Sequence, residues 1–169
     1  MQHVDFALLV LRASLGLMLM AHGTNKIKGG IDNACRWFAS MGLRPGWFHG
    51  RLAAASELVG GAMLVLGLLT PVAAAIVIGV MLVAGVTAHR NNGFFIFRPG
   101  QGWEYVAMIA VTAFAVGTIG AGDWSLDHAI GIDVDGWWGA IVAGALGVGG
   151  GVATLALFWR PAEVTASTS

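Results

Sequence analysis

Residues 71–88 read PVAAAIVIGVMLVAGVTA, eighteen positions from Pro71 to Ala88 without one charged side chain. A helix needs about 20 apolar residues, range about 17–25, to cross the hydrocarbon of a bilayer. The run is long enough to read as a membrane span. Pro71 stands where a first-turn proline costs nothing, because its missing N–H would be unpaired there anyway. Thr70-Pro71 therefore marks a tight turn, and the apolar run before it, Leu52 to Leu69, pairs with this one as a helical hairpin.

Three more stretches qualify: Phe6 to Ala21, Tyr105 to Gly120 and Trp137 to Trp159. The expected fold is an all-α membrane protein, a helical bundle of about five transmembrane helices. Composition agrees, since charged residues are 11% of the chain and apolar residues 57%, against about 25% and about 45–50% in soluble domains. A soluble surface cannot be built from so few charges. The formal net charge of zero supplies no basic field for nucleic acid, which excludes that class of partner. Cys35 is the only cysteine, so an intrachain disulfide, a CxxC redox motif and covalent CxxCH haem attachment are excluded. Met1 to Phe6 carries no Lys or Arg, and Arg12 interrupts the first apolar run. That is a poor secretory signal, and the first helix is expected to be retained.

Lys26, Lys28, Arg36, Arg44 and Arg51 follow the first span, Arg90 and Arg98 the third, and Arg160 the fifth. Five spans put all eight on one side, while the other side holds Asp5, Asp123, Asp127, Asp133 and Asp135. Positively charged loops stay in the cytoplasm, so the N-terminus is expected outside, the C-terminus inside, and the protein multi-pass in the cell membrane. Trp137, Trp138 and Trp159 at the ends of the fifth stretch read as interface anchors. Gly139, Ala143, Gly147 and Gly151, spaced by four, make one smooth face for close helix packing, either within the chain or in a homo-oligomer. Ile31, Ala34, Cys35, Phe38 and Met41 fall at helical spacing and predict a short interfacial helix stopped at Gly42. Phe94-Phe95-Ile96-Phe97, set among turn formers, is expected to anchor in the interface or to line the mouth of a site.

Ionisable residues inside spans cost about 2.5–3.5 kcal/mol on insertion scales and face a partner or a cavity. Arg12 and Glu57 lie well inside helices, and His22, Lys26, His89 and Glu104 lie near helix ends. Topology puts His22, Lys26, Glu57, His89, Asn92 and Glu104 in one leaflet, the cytoplasmic one by the charge rule. Arg12, His22 and Lys26 fall within an arc of about 80° if the first helix continues through Lys26. Glu57 is therefore expected to pair with Lys26 or with Arg12, whose backbone lies about 10 Å away along the axis. The competing reading is purely structural neutralisation in the bundle interior. A quinone pocket fits the same residues, as it needs a His or Glu proton partner beside an apolar cleft. A bis-histidine haem would use His22 and His89, and nothing else supports it. The acidic segment lacks the later ligands of a calcium loop and reads as solvated, with Ser125 as an N-cap. No metal site is expected. Walker, HExxH and GxSxG motifs are missing, and His3, His49 and His128 stand alone.

The run Arg12…Leu15-Gly16…His22-Gly23…Lys26, then Glu57…Gly60-Gly61…Leu66-Gly67…Thr70, then His89…Asn92-Gly93-Phe94-Phe95…Glu104, then Gly120-Ala121-Gly122-Asp123-Trp124-Ser125-Leu126-Asp127 resembles the DoxX family over about residues 5–130. Members are small membrane proteins, usually of four helices, associated with oxidoreductase systems that include thiosulfate-to-quinone electron transfer and a complex with superoxide dismutase and a sulfurtransferase. The resemblance implies a DoxX-like four-helix membrane domain at 1–130, an added transmembrane helix at 131–160 and a short disordered tail at 161–169. It also implies an accessory subunit that docks soluble redox proteins at its cytoplasmic face and presents a quinone or small hydrophobic electron carrier, rather than an enzyme acting alone. A membrane scaffold or small-solute transporter is the alternative. Arg12, His22, Lys26, Glu57, His89, Asn92 and Glu104 are the candidate site.

Overall fold

The computed structural model describes residues 2–161; the tail expected at 161–169 lies, Pro161 apart, outside the described residues. Seven α-helices follow in order: α1 Gln2–Lys28, α2 Ile31–Ser40, α3 Gly46–Leu66, α4 Thr70–Ala84, α5 Glu104–Ile119, α6 Leu126–Ile130 and α7 Gly136–Phe158. A π-helical turn, Gly85–His89, and a 3₁₀ turn, Arg90–Asn92, prolong α4. Among the described residues there is no strand, only one bridge pair between Leu43 and Trp159. Three helices, α1, α4 with its extension and α7, are long and apolar enough to cross a membrane, and α5 is a shorter apolar helix.

Helix α3 begins six residues before the apolar run at Leu52, because Pro45 precedes it in extended backbone and releases the chain into a helix at Gly46. Its other end is a left-handed turn at Gly67, φ 62°, a conformation that glycine adopts without the Cβ clash. Thr70-Pro71 opens α4 as expected, with Pro71 in the first turn.

The core gathers Leu15 and Leu19 of α1, Leu64 of α3, Ala73, Val77 and Met81 of α4, and Val106, Ala113 and Val116 of α5. Helix α1 packs along α3, while α4 sits centrally against α3, α5 and α7. In a bilayer, close approach of backbones substitutes for hydrophobic driving force. At the α1–α3 crossing a Cβ on Gly61 would stand 2.6 Å from the Gly16 carbonyl oxygen, so only small residues fit there. The smooth face of α7 is used within the chain: Gly139 meets Gly117, Ala143 is fully buried, and Gly147 and Gly151 abut Ile78 and Leu82 of α4.

The two ends of the bundle differ in charge. Lys26, Lys28, Arg36, Arg44, Arg51, Arg90, Arg98 and Arg160 all fall at the end where α1, α4 and α7 finish. Here α2 packs against α3 as the expected short helix. The last turn of α7 is stitched to the α2–α3 connection: Arg44 N–H donates to Phe158 O at 2.9 Å, Arg160 N–H to Gly42 O at 2.7 Å and Trp159 Nε1 to Met41 O at 2.9 Å. Trp159 is thus a buckle across this end, whereas Trp137 and Trp138 at the other end are 85% and 73% exposed, as interface anchors should be.

Candidate functional site

At the basic end the helices part around a cavity of ≈ 420 Å³. It runs from the space among α1, α3, α4 and α5 into a groove between α3 and α7. Those two helices flank α4 and touch at the basic end, where His49 meets Phe158. The stitched α2–α3 connection and α7 terminus bring Met41 and Leu43 over its basic-end side. Most of its wall is apolar. The polar exceptions come from five helices, α1, α3, α4 with its extension, α5 and α7.

Helix α1 contributes His22 and Lys26 on one stripe. Lys26 Nζ reaches both carboxylate oxygens of Glu57 at 2.6 Å, and Glu57 is 5% exposed. Of the two cations expected to compete for Glu57, Lys26 has it. The π-helical turn carries His89 into the wall, and such turns inside helices recur at functional sites. His89 Nδ1 lies 2.9 Å from Gln101 O and Nε2 lies 2.8 Å from the Tyr105 hydroxyl. A carbonyl only accepts, so Nδ1 carries the hydrogen; Nε2 of the neutral ring then accepts from Tyr105. The Tyr105 oxygen keeps lone pairs for a further donor. With both His89 nitrogens engaged, a His22–His89 haem ligation has no free atom on that side.

Two lining residues escape the sequence reading. Tyr105 is the only tyrosine in the chain and was legible only as the start of a span. His49 is 3% exposed, lies against Phe158 with ring centroids 4.9 Å apart, and its Nε2 has no hydrogen-bond partner. A buried polar atom left unpaired in a cavity wall calls for an explanation. Its signal was the helical spacing of His49, Ala53, Ser56 and Glu57, all of which line the cavity. Starting the helix at Leu52 hid that face.

Three expected members stand elsewhere. Arg12 is fully buried, and Nη2 donates to Trp124 O at 2.7 Å. The expected alternative, Arg12 on Glu57, does not form; the loop after α5 folds inward at the acidic end and supplies the Trp124 carbonyl instead, while Nε and Nη1 stay buried without a partner. Gly67 leaves room for it, since a Cβ there would overlap the guanidinium. Asn92 caps the α4 extension, donating to Ala88 O at 2.9 Å and Gly100 O at 2.7 Å. Glu104 accepts from Ile96 N–H at 3.1 Å and holds the aromatic loop. Neither lines the cavity, and the exposed Phe94 to Phe97 do not line its mouth.

The acidic segment is only partly solvated. Asp133 and Asp135 are exposed, but Asp127 is 2% exposed and accepts from Leu69 N–H at 2.6 Å and Thr70 N–H at 2.9 Å, capping α4. Asp5 accepts from Asp123 N–H at 3.1 Å. Ser125 caps α6 as expected, its hydroxyl accepting from His128 N–H at 3.1 Å. Among the described residues no three His, Cys, Asp or Glu side chains are grouped to hold a metal ion.

An all-helical bundle with lipid-length apolar helices and few charges defines an integral membrane protein. The family model described as DoxX matches residues 7–90, from within α1 to just past the π-helical turn, so the chain carries a DoxX-like segment over that span. No curated protein and no solved structure matches it.

Proposed function

We propose that the cavity binds the polar head of a small amphipathic molecule dissolved in the bilayer, of the quinone class, and that the basic face docks soluble redox proteins that exchange electrons with it. The observation carrying this reading is the cavity itself: ≈ 420 Å³, within the range of about 300–1,000 Å³ usual for small-molecule sites, mostly apolar, with a few convergent polar groups. The groove between α3 and α7 offers entry from the lipid. A bound quinone supplies two-electron, two-proton chemistry. For its head, Lys26 offers a donor held by Glu57, the Tyr105 oxygen an acceptor, and His49 Nε2 an unpaired nitrogen.

The eight Lys and Arg side chains of the basic end support docking of acidic partners and, by the positive-inside rule, a cytoplasmic location for that end. The N-terminus is then outside and the C-terminus inside. In this reading residues 1–130 form the DoxX-like domain, and α7 within 131–160 adds the far wall of the groove.

Purified protein extracted with organic solvent should release a quinone, and an absorbance scan should show no Soret band. Protein that carries no quinone and takes none up from quinone-loaded vesicles would leave the scaffold or transporter reading ahead. Orientation is read with a Cys35→Ala, Ser40→Cys variant, since Cys35 is buried and Ser40 exposed. Labelling of that cysteine by an impermeant maleimide in intact cells would reverse the assignment.

A further inference from the structure

A second concavity lies on the other side of α4, separated from the cavity by Met81 and Val106, which line both. It is a crease of ≈ 440 Å³ between α4, α5 and α7, with Gly85, Ala107, Ala110 and Val148 in its walls and Arg90 and Trp103 at its basic end. Its shape follows from where the helices touch. Helix α7 meets α5 at Gly117 and Phe114, in the C-terminal half of α5. Towards the basic end α5 and α7 diverge, and the crease opens between them.

The chemistry changes sharply along it. Below Arg90 the lining is apolar, as suits a hydrocarbon chain. At the top, the Arg90 guanidinium stacks 4.8 Å over the Trp159 ring, and among the described residues it makes no ion pair or hydrogen bond. Trp103, 41% exposed, marks the headgroup level, where indoles collect. An apolar slot headed by a cation at that level complements a molecule with an acyl chain below and an anionic phosphate above. A soluble acidic protein would meet Arg90 but leave the crease unfilled.

We propose that the α4–α5–α7 crease binds one anionic phospholipid, with a chain along Gly85, Ala107 and Ala110 and the phosphate on Arg90. The site is independent of the quinone reading, and the two are filled from opposite faces of α4. It also ties the added helix to the DoxX-matched core through a shared lipid.

The test is thermal unfolding of the full chain in detergent, titrated with phosphatidylglycerol, phosphatidylcholine of the same chains, or inorganic phosphate. Phosphatidylglycerol should raise Tm at lower concentration than phosphatidylcholine, and phosphate alone should do nothing. Arg90→Gln should shift the phosphatidylglycerol half-point about tenfold upward, the scale of one charge-assisted hydrogen bond. Ala107→Trp, which fills the crease and leaves Arg90 in place, should abolish the response. Equal effects of the two lipids, an equal effect of phosphate, or an unchanged response in both variants would each overturn the proposal. Native mass spectrometry of the wild-type protein reads the same selectivity without a variant: preferential retention of phosphatidylglycerol supports the site, and equal retention of the two lipids refutes it.

Discussion

The acidic and basic ends of this bundle each hold a cation of α1, fully buried Arg12 and part-buried Lys26, and they treat it in opposite ways. At the acidic end Arg12 is locked to the Trp124 carbonyl, Asp127 caps α4 and Asp5 holds Asp123. Those bonds join segments far apart in sequence through backbone groups. At the basic end Lys26 pairs with Glu57 beside a cavity, and His49 Nε2 in the same wall has no partner. Unpartnered buried atoms occur at both ends, Arg12 Nε and Nη1 and Thr70 Oγ1 at the acidic one and His49 Nε2 at the basic one. The contrast is therefore between an end tied by side chains to distant backbone and an end whose Lys26–Glu57 pair stands in a cavity wall.

The sharpest way to break this contrast is at Asp127. Asp127→Ala removes the acceptor of two N–H groups at the start of α4. Leaving a buried donor unpaired costs about 1–3 kcal/mol for each group, read as a large fall in Tm in detergent. A loss under about 1 kcal/mol would deny the acidic end its structural role. Glu57→Gln should cost less, about 1–3 kcal/mol, since Lys26 keeps 18% of its side chain exposed and can turn towards water. A Lys26→Met, Glu57→Gln double variant should regain most of that stability, whereas Arg12→Gln and Glu57→Gln losses should add. Additive losses for Lys26 and Glu57 would dissolve the pair.

Gly67→Ala probes the room made for Arg12. The left-handed backbone alone costs about 1–2 kcal/mol for a residue with a Cβ, and overlap with the guanidinium adds to it. Wild-type stability in this variant would show that Arg12 is free to move. His49→Leu should cost only about 0.5–1.5 kcal/mol, the scale of the ring's one hydrogen bond, to the Arg44 backbone, because its Nε2 gives up no bond. Retention of co-purified quinone should nevertheless fall. Tyr105→Phe sharpens the same point, losing about 0.5–1.5 kcal/mol with its hydrogen bond to His89.

Much of the bundle was legible because bilayer physics writes it in long apolar runs and in the charge asymmetry of the loops. Residues 71–88, the Thr70-Pro71 turn, the Ser125 cap and the α7 glycine face all read directly. The site was legible in part: His22, Lys26, Glu57 and His89 meet around one cavity as topology required. Arg12, Asn92 and Glu104 belong to it by leaflet or stripe alone, and each instead bonds a backbone group that folding brings within reach.

By itself, the sequence determined that this chain enters a membrane, which helices pair, and which end carries the cations, since hydropathy and charge act residue by residue. Only the tertiary structure decided which cation Glu57 takes, that Asp127 is a cap, and that His49 and Tyr105 join the cavity wall. Those outcomes depend on distances between segments more than 30 residues apart, such as Lys26 and Glu57 or Asp127 and Thr70. A hydrogen bond forms only within about 3.2 Å and in the right direction, and no periodicity along the chain encodes that.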